Sequence, residues 1–363
     1  MVLVAPMNES AASAADRLLQ SAVERRVFPG AVAEAGCSGD VLWRASFGAL
    51  SFDEGASATE ANTLFDLASL TKPIATTSVV LKLEAESRLT LDTHVSAIVP
   101  DWSGADRAMV TVQHLLEHAS GLSARLLDRP PHDRRAFEHD ICSMPLEYPP
   151  GTRSIYSDLG FILLGFCCEQ RGQASLATLT RSVLELLPAE TDAEILLAVP
   201  PDARTRTAPT NPLAEDDRRG RRLTGEVHDS YAAALGGFAG HAGLFGTAGG
   251  VGQFARLILA AARGESAGPE PFTPARVQRS IMRSTVPGSS RALGWDTMLP
   301  TSSCGTRLSA AAFGHVGFTG TSVWIDPALD RYFVLLSNRV CNGGTSEDIQ
   351  QVRRAFHDAL ASL

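Results

Sequence analysis

Sequence able to pair as strands lies at the two ends of this chain, with a long helical stretch between. Near the start, residues 31–48 (AVAEAGCSGDVLWRASFG) read as two strands joined by a turn at Ser38-Gly39-Asp40. Near the end, residues 314–318, 321–326 and 331–338 are strand-like, with a turn at Asp326-Pro327. A helix flanks each group. Residues 10–26 carry Leu18, Leu19, Ala22 and Val23 on one side, and residues 346–362 carry Ile349, Val352, Phe356 and Leu360 at helical spacing. Helical patterns fill the middle, at 72–87, 111–119, 158–171, 174–187 and 248–263, with loop-like joints at 129–151 and 264–274. The economical solution is an α+β fold. Residues 1–68 and 285–363 build one antiparallel sheet with terminal helices, and 69–284 form a mostly helical domain inserted into it. A cleft between two such lobes is a common place for a small-molecule site.

Lysine usage points to chemistry in that cleft. Of 32 basic residues only Lys72 and Lys82 are lysines. Lys72 follows Ser69 by three residues, one helical turn, so the two side chains are neighbours on one face. Arginine does not give up its proton, whereas a desolvated lysine can, and an amine beside a hydroxyl can activate it as a nucleophile. Pro73 is tolerated in a first helical turn, and a helix start adds positive potential at Ser69.

Two further stretches have the right character. In GTRSIYSDLGFILLG (151–165), Tyr156 and Asp158 straddle a turn before an apolar helix. A tyrosine near cations can act as a general base; equally, Tyr156 can be a core aromatic and Asp158 a helix N-cap. In FGHVGFTGTSVWID (313–326), Gly314, Gly317 and Gly320 are unusual for a strand and mark a bend or the close approach of a ligand or backbone.

Together these stretches resemble the serine β-lactamase and penicillin-binding-protein superfamily, with the nearer likeness to class C β-lactamase-related esterases and D-aminopeptidase-like hydrolases. The matching text is Ser69-x-x-Lys72, Tyr156-Ser157-Asp158 and His315-Val316-Gly317, supported by HLLEHASGL (114–122) and GEVHDSYAAALGGFAGHAGLFGTA (225–248). The resemblance implies a β-lactamase-like fold and makes Ser69 the acylated nucleophile. Lys72 would take or relay its proton, and Tyr156 would activate Ser69, protonate the leaving group and later activate water. The backbone N–H groups of Ser69 and Phe318 would form an oxyanion hole, Gly317 would let substrate lie against the strand, and Asp158 and His315 would bind substrate. Two positions depart from the family pattern. Asp158 stands where asparagine is usual, and an ionised carboxylate only accepts hydrogen bonds; it can pair with Lys72, hold it protonated and leave the base role to Tyr156. His315 stands where β-lactamases place lysine, and a neutral histidine is a poor anchor for a carboxylate. Both changes favour esters or small amides over β-lactams or acyl-D-alanine. A β-lactamase, a D-Ala-D-Ala carboxypeptidase or D-aminopeptidase, and a non-catalytic ligand-binding module are the alternatives.

Composition sets limits on partners. A net charge of −8 argues against nucleic acid, and the window 231–262, the longest apolar candidate, is interrupted by His241, Gln253 and Arg256, which argues against a membrane span. Six cysteines without paired spacing suggest a reducing compartment, and MVLVAPMNES lacks the basic and apolar regions of a secretory signal. The expected location is the cytoplasm, or the periplasm if a leader has been removed. The expected partner is a small-molecule ester or amide, with no cofactor; a homodimer stays open. His114-Leu-Leu-Glu-His118 fits an inverted zinc-protease pattern, but the segment is short and stops at Ser120-Gly121, so no metal is expected. His228-Asp229 and His241 suggest a serine–histidine–aspartate triad, but no G-x-S-x-G elbow precedes a suitable helix, and they are read as loop and packing residues.

Overall fold

A computed structural model describes residues 9–126, 130–265 and 269–363. Residues 1–8, residue 129 of the joint at 129–151 and residues 266–268 of the joint at 264–274 lie outside the described residues. The first elements are α1 (Glu9–Glu24), β1 (Gly30–Gly36), β2 (Val41–Gly48) and β3 (Phe65–Asp66), then a 3₁₀ turn (Ala68–Leu70), a π-helical turn (Lys72–Thr77) and α2 (Ser78–Ala85). The middle of the chain holds α3 (Val112–Leu116), α4 (Arg134–Ser143), α5 (Asp158–Gly172), α6 (Leu176–Leu184), β4 (Ile195–Leu196), α7 (Ser230–Ala234), β5 (Phe245–Gly246), α8 (Ala248–Arg263) and α9 (Pro274–Ser280). The chain ends with β6 (Asp296–Thr297), β7 (Phe313–Val316), β8 (Ser322–Asp326), β9 (Arg331–Ser337) and α10 (Ser346–Leu360).

One antiparallel sheet takes its strands from both ends of the chain, in the order β2-β1-β9-β8-β7-β6. β1 and β9 are its seam, paired from Ala31 opposite Ser337 to Gly36 opposite Tyr332. Side chains alternate across it. Ala31, Ala33, Ala35, Phe333 and Leu335 face α1 and α10, in a core with Leu19, Phe28 and Phe356. Val32, Tyr332, Val334 and Leu336 face the other way, into the large core that holds Phe254 and Leu259 of α8 and the apolar face of α5. α8 therefore lies against the sheet and links it to the helical part.

The expected strands and helices are present, with two differences. The joint at 129–151 contains α4, whose N-cap Asp133 accepts from Ala136 N at 2.9 Å; its polar, arginine-rich text hides an apolar face of Phe137, Ile141 and Cys142. A second sheet, β3-β5-β4, has strands of two residues, too short to leave a periodic signal. All six cysteines are free. No helix among the described residues is long and apolar enough to cross a membrane.

Because Phe356 is fully buried between α10 and the sheet, Phe356→Ala is expected to cost about 3–5 kcal/mol. Met109→Ala, at an exposed position, should stay within about 0.5 kcal/mol. Urea midpoints of the two variants check this.

Candidate active site

β3 ends at Asp66, and the chain then turns sharply. Ala68 takes φ of 47°, a left-handed conformation costly for a residue with a side chain. Asp66 holds it there: Oδ1 accepts from Ala68 N at 2.8 Å and Oδ2 from His228 N at 2.6 Å. Ser69 follows in the 3₁₀ turn, half-buried, and the run continues through the π-helical turn into α2. This carries Lys72 into the interior, where its side chain has no solvent exposure.

Four oxygens surround Lys72 Nζ: Ser69 Oγ at 3.0 Å, Tyr156 Oη at 2.6 Å, Asp158 Oδ1 at 2.8 Å and the His241 carbonyl at 3.2 Å. An ammonium has three donors and no acceptor, so this shell suits the charged form and makes Lys72 a donor to Ser69. Burial alone pulls the amine down, but the charge of Asp158, followed by Tyr156 and its hydrogen bonds, holds it above the ordinary lysine value. Burial pushes Asp158 up, and Lys72 and His241 outweigh it, holding the carboxyl below its usual value.

Asp158 is the first residue of α5 and not its cap; Ser157 is the cap, accepting from Gly160 N at 3.1 Å. That frees the Asp158 carboxylate to bridge. Oδ2 accepts from Arg125 Nη1 at 2.9 Å, and the same nitrogen reaches Asp229 Oδ2 at 3.1 Å. His241 Nε2 donates to Asp229 Oδ1 at 2.7 Å. Burial raises the Asp229 carboxyl, but His241 and Arg125 together hold it far below the usual range. Asp229 and His241 thus belong to the site, against the reading of them as loop and packing residues. Arg125 was not singled out in the sequence at all; among 30 arginines nothing local distinguishes it.

Tyr156 is sandwiched. His118 lies 4.6 Å from its ring centroid and His315 6.0 Å, and the Arg291 guanidinium stands 5.1 Å over the ring. Both histidines sit well below their usual value, through burial first and then the nearby cations Arg291 and Lys72. His315 is therefore neutral, and its Nε2 has no partner. His114 Nδ1 accepts from Thr111 N at 3.1 Å, closing the capping box of α3, and His118 Nδ1 accepts from the distant Ser157 N at 3.1 Å. Among the described residues no cluster of metal-binding side chains is present.

The turn from Gly317 to Thr321 is stitched to the segment that leads into Ser69. Thr319 Oγ1 donates to the Asp66 carbonyl at 2.8 Å and Thr321 Oγ1 to the Leu67 carbonyl at 3.1 Å. A Cβ on Gly317 would lie 2.1 Å from Thr321 Oγ1 and 2.8 Å from the Leu67 oxygen. The close neighbours that require glycine here are the Thr321 hydroxyl and the Leu67 carbonyl of the chain itself. The N–H groups of Ser69 and Phe318 have no backbone partner among the described residues. Two cavities, of about 450 and 290 Å³, meet at Ser69, Tyr156 and Phe318. The larger is lined by Arg291, His315, Arg339 and Arg353, the smaller by Arg125, Asp158, His228 and Asp229.

The model of the Beta-lactamase family matches residues 15–355. A putative D-alanyl-D-alanine carboxypeptidase of Escherichia coli K12 is 29% identical over 312 residues, covering 76% of this chain and 69% of that protein. Among solved structures, a beta-lactamase from Sulfitobacter sp. EE-36 superposes with a TM-score of 0.76 at 20% identity, covering 99% of this chain and 100% of that one. EstCE1, a hydrolase with promiscuous acyltransferase activity, superposes with a TM-score of 0.74 at 20% identity, over 96% and 99% of the two chains.

The histidines give stability a sign with pH. His118, His228, His315 and His357 are all lowered in the fold, each mainly by burial. The folded state keeps them neutral while the unfolded chain protonates near pH 6.5, so their contribution is present above that value and lost as pH falls below it. Each is expected to lose about 2 kcal/mol between pH 7.5 and 5. Asp66, raised by burial to about 6, acts in the opposite direction and returns about 1 kcal/mol over that interval. Urea unfolding should show stability falling on acidification, and less steeply in His357→Phe.

Proposed function

The chain belongs to the beta-lactamase family, and we propose that it is a serine hydrolase that acylates Ser69 and cleaves esters or small amides. The observation that carries this reading is the Lys72 ammonium, which donates to the Ser69 and Tyr156 oxygens together. Substrate enters with its carbonyl oxygen facing the Ser69 and Phe318 N–H groups. Starting from the Tyr156 phenolate paired with the Lys72 ammonium, Ser69 Oγ attacks the carbonyl carbon and gives its proton to the phenolate oxygen, while Lys72 stabilises the negative charge near both. The tetrahedral adduct collapses, the C–O bond to the leaving group breaks, and Tyr156 returns the proton to the departing alkoxide. Water then gives a proton to Tyr156 and attacks the acyl carbon, and Ser69 leaves with that proton restored.

Ester preference follows from what the site lacks. His315 carries no charge to hold a substrate carboxylate, and Asp158 is committed to Lys72 and Arg125 and cannot donate to an amide. An alkoxide also leaves more readily than an amine. One observation favours the second reading, a β-lactam or D-alanyl peptide: Arg291 lines the larger cavity and forms no ion pair among the described residues, so it is free to meet a carboxylate.

Turnover of a short-chain p-nitrophenyl ester, nitrocefin and a D-alanyl peptide separates the two. The ester should turn over fastest; faster nitrocefin or peptide turnover reverses the ranking. A fluorophosphonate probe should label the wild-type protein and not Ser69→Ala, and Tyr156→Phe should lower kcat by about 10²–10⁴. An unlabelled wild type would return the protein to a ligand-binding role.

A further inference from the structure

Two arginines outside the Ser69–Lys72–Tyr156 group grip the turn that presents Phe318. Arg353 projects from α10, and its Nη2 donates to the Gly317 carbonyl at 2.7 Å and to the Thr321 carbonyl at 2.8 Å. Arg339 follows β9, and its Nη2 donates to the Phe318 carbonyl at 2.6 Å. Both side chains are buried, and among the described residues neither pairs with a carboxylate. Burying two neighbouring cations without a counter-ion is costly. A fold that needed only to close this turn could use neutral donors.

The geometry of a peptide says what this arrangement does. The Gly317 carbonyl and the Phe318 N–H belong to one planar trans unit and point in opposite directions. Fixing the carbonyl against α10 therefore fixes the N–H, and Arg339 fixes the next peptide plane. On the far side of the turn, Thr319 and Thr321 are bonded to the carbonyls of Asp66 and Leu67, just before Ser69. A cation on a carbonyl oxygen also draws electron density along the peptide and strengthens its N–H as a donor.

We infer that Arg353, assisted by Arg339, is a positioning residue for the oxyanion hole: it orients and polarises the Gly317–Phe318 peptide so that the Phe318 N–H meets the charge that develops on the substrate oxygen. This rests on the reading of Ser69 as the acylated nucleophile. Burial, and then Arg339, draw the Arg353 guanidinium down to about 9, so it remains charged at neutral pH. The effect belongs to the transition state, because a ground-state carbonyl bears little charge, and it falls on kcat with little change in KM.

The experiment compares Arg353→Met and Arg353→Lys in the full chain, using a p-nitrophenyl ester and its thiono counterpart, in which sulfur replaces the carbonyl oxygen. Removing an oxyanion donor outright lowers kcat by about 10²–10³; misaligning one should lower it by about 10–100 in Arg353→Met, with KM within about threefold. The preference for the oxygen ester over the thiono ester should shrink in the same variant and be partly restored in Arg353→Lys. A purely structural arginine would leave that preference unchanged. If Arg353→Met does not fold, Arg353→Gln carries the same measurement, since it keeps a neutral donor and removes the charge. Wild-type kcat and wild-type ester preference in the folded variant overturn the inference. If that variant is still labelled to completion by fluorophosphonate, the nucleophile reading stands and only this inference fails. If Ser69→Ala itself turns over the ester, the nucleophile reading has failed first.

Discussion

A lysine ammonium with no solvent contact has to replace its hydration shell with oxygens of the protein, and the site is organised around meeting that demand. The four oxygens at Lys72 come from three segments: Ser69 one turn earlier, Tyr156 and Asp158 at the start of α5, and the His241 carbonyl ahead of β5. Asp158 in turn needs its second oxygen satisfied, which brings in Arg125; Arg125 needs Asp229; and Asp229 takes the His241 ring. Alternating charge lets the chain enter low dielectric, because each member has an opposite or hydrogen-bonding neighbour.

The second constraint is the bond between the two sheets. The Ser69 segment leaves the small sheet at Asp66, and the turn after β7 leaves the large sheet at Val316. Hydroxyls of Thr319 and Thr321 tie them together, and glycine at 317 is what lets the two backbones approach so closely. The Ser69 hydroxyl and the N–H groups of Ser69 and Phe318 thereby sit on one cross-linked unit, with Lys72, Tyr156 and Asp158 beside it. Two cavities meet at this seam, sharing Ser69, Tyr156 and Phe318 in their linings.

Much of this was legible in the text of the chain. The strands at both ends could be read because turn signals at Ser38-Gly39-Asp40 and Asp326-Pro327 bound them, and α1 and α10 because their apolar residues recur at helical spacing. Ser69, Lys72, Tyr156, Asp158, His315 and Gly317 stood out by type and spacing. Other parts left no local signal. α4 buries only three residues beneath a charged surface, and β3, β4 and β5 are too short for periodicity. Arg125, Arg291, Arg339 and Arg353 could not be told from the other arginines, since what sets them apart is contact with segments distant in the chain; Arg353 and the carbonyl it grips are 36 residues apart. Asp229 and His241 were visible as residues, but their link to Asp158 runs through Arg125.

By itself, then, the sequence determined which functional groups are present, which segments fold as strands or helices, and the local spacing that puts Lys72 beside Ser69, because these depend on side-chain type and on neighbours a few residues away. Only the tertiary structure decided the state of those groups. Lys72 is a charged donor because distant carboxylate and phenol oxygens outweigh its desolvation, His315 is neutral because it is buried among cations, and Gly317 is glycine because the Thr321 hydroxyl and the carbonyl of distant Leu67 lie against it. Protonation and close approach depend on the whole electrostatic and steric environment, and that environment exists only once the chain has closed on itself.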